Sequence, residues 1–258
     1  AGNPQRPPLF LVHPAEGQIY VYRDLARCLG PEQPVYGLQA VGLEKHTDPV
    51  GSIEAMATDY IRALQVRQRA GPYLLGGSSF GGTCALEMAQ QLLAAGQKVA
   101  LLTLIDTPRL DNQGISAAIL GDDLNLLATL LRMSDDFAIS LDEIRILPQE
   151  KQLPAYLEQY AKVSKKTFPL TALEDIRYLL CLFRTNYQNM VDYQPKRYLG
   201  PMGFFSASDR DETNPSHPER GWLELAMGGM DVYEVPGNHI TMNHSPQVEV
   251  MAKQLQKY

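Results

Sequence analysis

Tyr73-Leu-Leu-Gly-Gly-Ser-Ser-Phe-Gly-Gly82 passes from an apolar run, through small residues, into a stretch with helical spacing. Inside it, Gly77-Ser78-Ser79-Phe80-Gly81 fits the pattern G-x-S-x-G, with a strand expected over 73–76 and a helix over 80–95. The chemistry explains the spacing. A serine at a sharp strand-to-helix turn is held in strained backbone angles that push its hydroxyl out of the sheet. Glycines two residues to either side let neighbouring backbone approach the turn without a Cβ clash. Ser79 is therefore the candidate nucleophile. The amide of Phe80, at the helix start, can stabilise an oxyanion. Ser78 is one position out of register and reads as lining the turn.

Outward from this turn, short apolar runs alternate with longer helical patterns. Strands are expected over 9–13, 35–39, 99–105, 202–207 and 231–235, and helices over 19–29, 52–69 and 246–257. Several strands are apolar at consecutive positions, as in a parallel sheet covered on both faces. Strand followed by helix, repeated, predicts an α/β domain with a mostly parallel central sheet flanked by helices. The rhythm breaks between Pro108 and Pro201, where only helical patterns occur. Capping-box patterns stand at Ser140 with Glu143 and at Thr171 with Glu174. Leu153, Tyr156, Leu157 and Tyr160 form one apolar stripe; Ile176, Leu179, Leu180, Phe183, Tyr187 and Met190 form another. A helical insertion over about 110–200 is expected at the ends of the strands, where open α/β sheets bind ligands. Its breaks at Gly114, Gly121, Pro148, Pro154 and Pro169 suggest short helices joined by hinges, as in a mobile lid.

A nucleophilic serine needs a base. Among five histidines, His239 lies in Val235-Pro-Gly-Asn-His239, in a loop after the last expected strand. In a fold that carries its serine on this strand–turn–helix motif the chain order is serine, acid, histidine, which places the base there. His244 precedes Ser245-Pro246 and reads as a surface or capping residue. Two carboxylates compete for the acid: Asp106 closes the strand over 99–105, and Asp209 follows the strand over 202–207. Either position can hold an imidazole in the correct tautomer. At Leu9-Phe-Leu-Val-His-Pro-Ala-Glu-Gly17 a strand breaks into a turn, and the amide of Ala15 can complete an oxyanion hole with Phe80. His13, next to Pro14, reads as structural.

Composition narrows the partners. A net charge of -6 with no run of Lys or Arg argues against a nucleic-acid partner. No apolar run approaches the ~18–20 residues of a membrane span. Cys28, Cys84 and Cys181 suggest neither a disulfide framework nor a metal site, and read as three buried small apolar residues in a reducing compartment, the cytoplasm. Residues 1–8 read as a Pro-rich linker preceding a domain over 9–258, cut from a longer protein.

Taken together, Leu11-Val-His-Pro-Ala15 with Gly17, Gly77-Ser-Ser-Phe-Gly-Gly82, Leu104-Ile-Asp-Thr-Pro108, and Val235-Pro-Gly-Asn-His239 with Met242 span nearly the whole chain. In that combination and order the sequence resembles the thioesterase domains that end nonribosomal peptide and polyketide synthases, themselves similar to the fatty acid synthase thioesterase. The resemblance implies an α/β-hydrolase fold with a helical lid. It also implies an acyl or peptidyl chain delivered on the phosphopantetheine arm of an upstream carrier domain, no permanently bound cofactor, and release by hydrolysis or macrocyclisation. In this family the acid commonly follows the strand that Leu104-Ile-Asp106 resembles, which favours Asp106 over Asp209. Carried over, Ser79, Asp106 and His239 form the triad, with Ala15 and Phe80 as oxyanion donors. Glu16 departs from the family's usual glycine and brings a negative charge near that hole; Ser78 replaces a bulkier residue. A stand-alone editing thioesterase, or another serine hydrolase, is the alternative enzyme. A non-catalytic hydrolase-fold module, which typically loses the serine or the histidine, fits less well.

Overall fold

A computed structural model describes residues 3, 5–110, 121–134, 139–165, 173–210 and 217–258. Six strands, β1 (Leu9–Val12), β2 (Val35–Leu38), β3 (Tyr73–Ser78), β4 (Val99–Ile105), β5 (Met202–Ala207) and β6 (Met230–Val235), form one sheet in the order β2-β1-β3-β4-β5-β6. Every pairing is parallel, as the consecutive apolar positions predict. Burial follows strand position. All residues of the inner strands β1, β3 and β5 are buried, whereas the edge strands β2 and β6 are largely accessible.

The helices that accompany the sheet include α1 (Arg23–Leu29), α2 (Ile53–Gln65), α3 (Phe80–Ala94) and, later in the chain, α9 (Val248–Leu255). The first expected helix is divided: a 3₁₀ turn over Tyr20–Tyr22 precedes α1. In α2, Ile53, Met56, Ala57, Tyr60 and Leu64 recur on one face and are buried. Ser52 Oγ caps the helix by accepting from the Ala55 amide at 3.2 Å, a type of bond worth about 1 kcal/mol. The helix stops at Gln65, short of the expected 69, because the next apolar residue, Val66, points to solvent and no further face is buried.

Residues 112–184 make a second compact unit, separate from the unit of 1–111 and 185–258. It contains α4 (Asp123–Ser134), α5 (Asp142–Arg145), α6 (Gln149–Ser164) and the first part of α7 (Leu173–Asp192); a short α8 (Arg220–Leu223) belongs to the sheet unit. Its core joins Leu124, Leu127, Ile144, Leu153, Tyr156, Tyr160, Ile176 and Leu180, so the two apolar stripes pack helix on helix.

Several expectations need correction. The compact helical unit ends at Arg184, inside α7, which itself runs on to Asp192. Asn189, near the end of α7, donates to Val50 O, and Tyr193 donates to Glu87 Oε2 at 2.6 Å, which ties this part of the chain to the sheet unit. Pro154 does not break a helix but lies inside α6. Ser140 and Glu143 form no capping box: Ser140 Oγ accepts from the Asp142 amide at 3.4 Å, and Leu141 occupies the cap position. Thr171, Gly114 and Pro169 lie outside the described residues. Of the cysteines, only Cys84 is buried; Cys28 is partly accessible and Cys181 exposed. No helix among the described residues is long and apolar enough to cross a membrane.

Candidate active site

The sheet changes winding direction at β1, which has β2 on one side and β3 on the other. The crevice beyond the carboxyl ends of strands at such a point is where open α/β sheets bind ligands. The registers Val12 with Gly77, Ser78 with Ile105 and Ala207 with Val235 bring these ends level. Ala15, Ser79, Asp106 and His239 follow β1, β3, β4 and β6, so all four lie along one edge.

Ser79 sits between β3 and α3 at φ 54°, ψ −122°, a left-handed conformation that disfavours side chains. The turn is held by bonds from Ser79 N to Ile105 O at 2.8 Å and from Gly82 N to Ser79 O at 3.0 Å. The flanking glycines are required by close approach: a Cβ on Gly77 would lie 2.2 Å from Gly81 C, and one on Gly81 2.2 Å from Val12 O. Ser78 is buried in β3, as its register implied. Beneath the turn, Tyr22 Oη donates to Val12 O and accepts from Ser78 N at 2.8 Å, tying the ends of β1 and β3 together. Burial pushes the Tyr22 phenol upward, so it remains a donor throughout the accessible pH range.

Asp106, also at positive φ (44°), is 2% exposed. Its Oδ2 lies 2.7 Å from His239 Nδ1, and Oδ1 accepts from the Ala207 amide at 3.1 Å. Arg210 forks onto the same carboxylate, Nη2 to Oδ1 at 2.6 Å and Nη1 to Oδ2 at 3.2 Å. Burial opposes the negative charge, but the hydrogen bonds from His239 and Arg210 outweigh it and hold the carboxyl down to about 2. Asp209 takes no part in this cluster. Its carboxylate is exposed and accepts from Ser208 Oγ at 2.8 Å, while its amide donates to Gly237 O. Among the described residues no hydrogen bond joins Ser79 Oγ to His239, a looseness common in apo sites that tightens with substrate.

The loop after β1 is fixed from two sides. His13, fully buried, makes bonds of 2.6 Å through Nδ1 to Pro14 O and through Nε2 to Tyr60 Oη. Burial lowers its basicity to about 4, against the pull of the Pro14 carbonyl, so the ring is neutral at pH 7. Nδ1 then donates to Pro14 O and Nε2 accepts from Tyr60. Pro14 O and Ala15 N belong to one peptide plane, so His13 orients the Ala15 amide; it also stacks on Phe80, with centroids 5.5 Å apart. On the other flank, Asn186 Nδ2 donates to Ala15 O at 2.8 Å. Among the described residues no other group accepts from the amides of Ala15 or Phe80, which leaves both donors available. Glu16 is reached by solvent yet crowded by protein atoms. Crowding raises its carboxyl, opposed by its own backbone amide and by His239.

Sequence reasoning missed Arg210, Asn186, Tyr22 and Tyr60. Asn186 leaves one signal, a polar residue between the apolar Phe183 and Tyr187 of the α7 stripe. His217 and His244 lie apart from the cluster, paired with Glu219 at 3.0 Å and with Asp24 at 3.7 Å. No cluster of metal-ligating residues occurs among the described residues.

A parallel sheet carrying a strained serine, an acid–histidine pair and two available amides on one edge has the α/β-hydrolase fold. Residues 7–258 match the thioesterase domain model, and the chain belongs to that family of serine thioesterases. It is 29% identical over 257 residues to malpibaldin synthetase of Mortierella alpina, covering 98% of this chain and 4% of that protein. It is 30% identical over 239 residues to a dimodular nonribosomal peptide synthase of Bacillus subtilis (strain 168), covering 91% and 10%. The chain therefore spans a tenth or less of these two relatives. Among solved structures, a four-domain nonribosomal peptide synthetase bound to AMP and glycine matches with a TM-score of 0.83 at 26% identity, over 99% of this chain and 20% of its own. The NocB thioesterase domain, in covalent complex with a fluorophosphonate nocardicin G analogue, shares the fold with a TM-score of 0.70 at 23% identity, covering 98% and 94%.

Proposed function

We propose that the chain terminates a biosynthetic assembly line, taking an acyl or peptidyl chain from the phosphopantetheine thioester of an upstream carrier domain onto Ser79. The observation that carries the reading is the strained Ser79 on the same sheet edge as the 2.7 Å Asp106–His239 pair. Ser79 Oγ attacks the thioester carbonyl while His239 Nε2 takes its proton, and Asp106 holds the ring by accepting from Nδ1–H. The Ala15 and Phe80 amides stabilise the oxyanion. Collapse expels the thiolate, which takes up the proton held on His239 Nε2, and leaves an acyl ester on Ser79 beside a neutral imidazole. His239 then removes a proton from water, or from a hydroxyl or amine of the chain itself, and attack frees an acid or a ring. The assembly-line reading draws support from relatives that are large synthetases, of which this chain matches a small share.

The test combines a fluorophosphonate probe with acyl and peptidyl N-acetylcysteamine thioesters. The native protein gains one probe mass and Ser79→Ala gains none, whereas Ser78→Ala is labelled. His239→Ala loses on the order of 10⁴-fold or more in turnover. Product masses separate hydrolysis from ring closure. A probe adduct on the Ser79→Ala protein overturns the assignment.

A further inference from the structure

The triad as drawn leaves one charged group unused. Arg210 follows Asp209 in the loop after β5, and its planar fork lies along both oxygens of Asp106. The guanidinium is anchored from behind: Nη2 also donates to Ser206 Oγ at 2.8 Å, and that hydroxyl donates to Glu219 Oε2 at 3.3 Å. A bidentate pair of this kind fixes the plane of the carboxylate as well as its place. Asp106 is almost wholly buried, so little solvent screens what the cation does to it.

We propose that Arg210 is a positioning residue of the triad, which holds the Asp106 carboxylate in plane and weakens its pull on the His239 proton, keeping the imidazole an unprotonated base to lower pH. The inference rests on the triad reading given above. A carboxylate beside a histidine favours the imidazolium, and a cation on the same carboxylate takes up part of that field. The trade suits a thioester. Its leaving group is a thiol of ordinary pKa about 8.5, which departs as the thiolate with little help from an acid. A poor leaving group such as an amine needs a strongly stabilised imidazolium to protonate it; a thioester calls chiefly on the base.

Among the described residues, Glu16 attracts His239 from the loop after β1, Asp209 lies in the loop bonded to Gly237, and Glu219, paired with His217, stands behind Ser206. All of these remain when Arg210 is replaced, so a change in pH profile reports on Arg210.

The experiment measures kcat/KM for an acyl N-acetylcysteamine thioester from about pH 5.5 to 9, on the native chain, Arg210→Gln, Arg210→Lys and Ser206→Ala. Arg210→Gln should move the acid limb up by about 0.5–1 pH unit, so that its loss is several-fold greater near pH 6 than near pH 9. Arg210→Lys keeps the charge and loses the fork: its limb should stay within about 0.3 unit of native while its plateau falls. Ser206→Ala loosens the anchor and should move the limb in the Gln direction by less; it carries the test if Arg210→Gln fails to fold. An equal loss at every pH with an unmoved limb, or a limb moved downward, overturns the proposal. Fluorophosphonate labelling of each variant separates the two failures: unlabelled Ser79 in the native chain sinks the triad, whereas full labelling with an unmoved limb sinks only the role of Arg210.

Discussion

His239 Nδ1 lies 2.7 Å from Oδ2 of Asp106, joining the loop after β6 to the end of β4 across 133 residues of chain. Asp209 is closer to His239 in sequence, yet its exposed carboxylate bonds to neighbouring Ser208 instead. Asp106→Asn should therefore cost on the order of 10³–10⁴-fold in kcat, because an amide sets the wrong imidazole tautomer. Asp209→Asn should cost less than about tenfold. Turnover of one thioester by both variants at a single pH checks the ranking, and the reverse order would move the acid to Asp209.

His13 supplies a pH dependence of stability whose sign follows from its environment. Its folded value of about 4 lies below the ordinary 6.5, so between these values the unfolded chain binds more protons. The contribution is complete above pH 6.5 and is lost as pH falls toward 4. It amounts to about 3 kcal/mol, from roughly 1.4 kcal/mol per unit. Urea unfolding of the native chain at pH 7 and pH 4.5 should show a fall in stability that is smaller in His13→Gln, a variant already weaker at pH 7. An equal fall in both proteins would assign it to other groups.

Helices α4, α5 and α6 should exchange their amide hydrogens faster than β4 in the free protein. Their core, which includes Leu153, Tyr156 and Tyr160, holds fewer buried residues than the core around the sheet, so less burial opposes local opening. Hydrogen exchange read by mass spectrometry tests this, and equal protection in both regions would overturn it.

Tyr22 makes a further point of leverage. Its hydroxyl serves Val12 O and Ser78 N at once, and Tyr22→Phe leaves both buried without that partner. The expected cost is about 1–3 kcal/mol in unfolding free energy, read from denaturant midpoints. Acyl-enzyme formation should also slow, because the bond spans the two strands that present Ala15 and Ser79. A variant as stable and as fast as the native chain would remove Tyr22 from the account.

By itself the sequence determined the parallel sheet, the turn at Ser79 and the loop of His239. Each is written within about ten consecutive residues: apolar runs long enough for buried strands, glycines where backbone must cross closely, a histidine after the last strand. Helix interiors were legible for the same reason, while ends depended on what the neighbouring surface buried, as at Gln65, and Pro154 was absorbed where a break was expected. Only the tertiary structure set Asp106, rather than Asp209, against His239, because both end strands and differ in which way the sheet turns them. Only it brought Arg210 onto Asp106, Asn186 onto the Ala15 carbonyl and Tyr22 beneath Ser79. These contacts join residues 56 to 171 positions apart, or hang on a loop's path, and no local periodicity records them. A side chain's type and spacing announce the element it sits in; its partner is set by strand order and register, which emerge only when the whole sheet has closed its core.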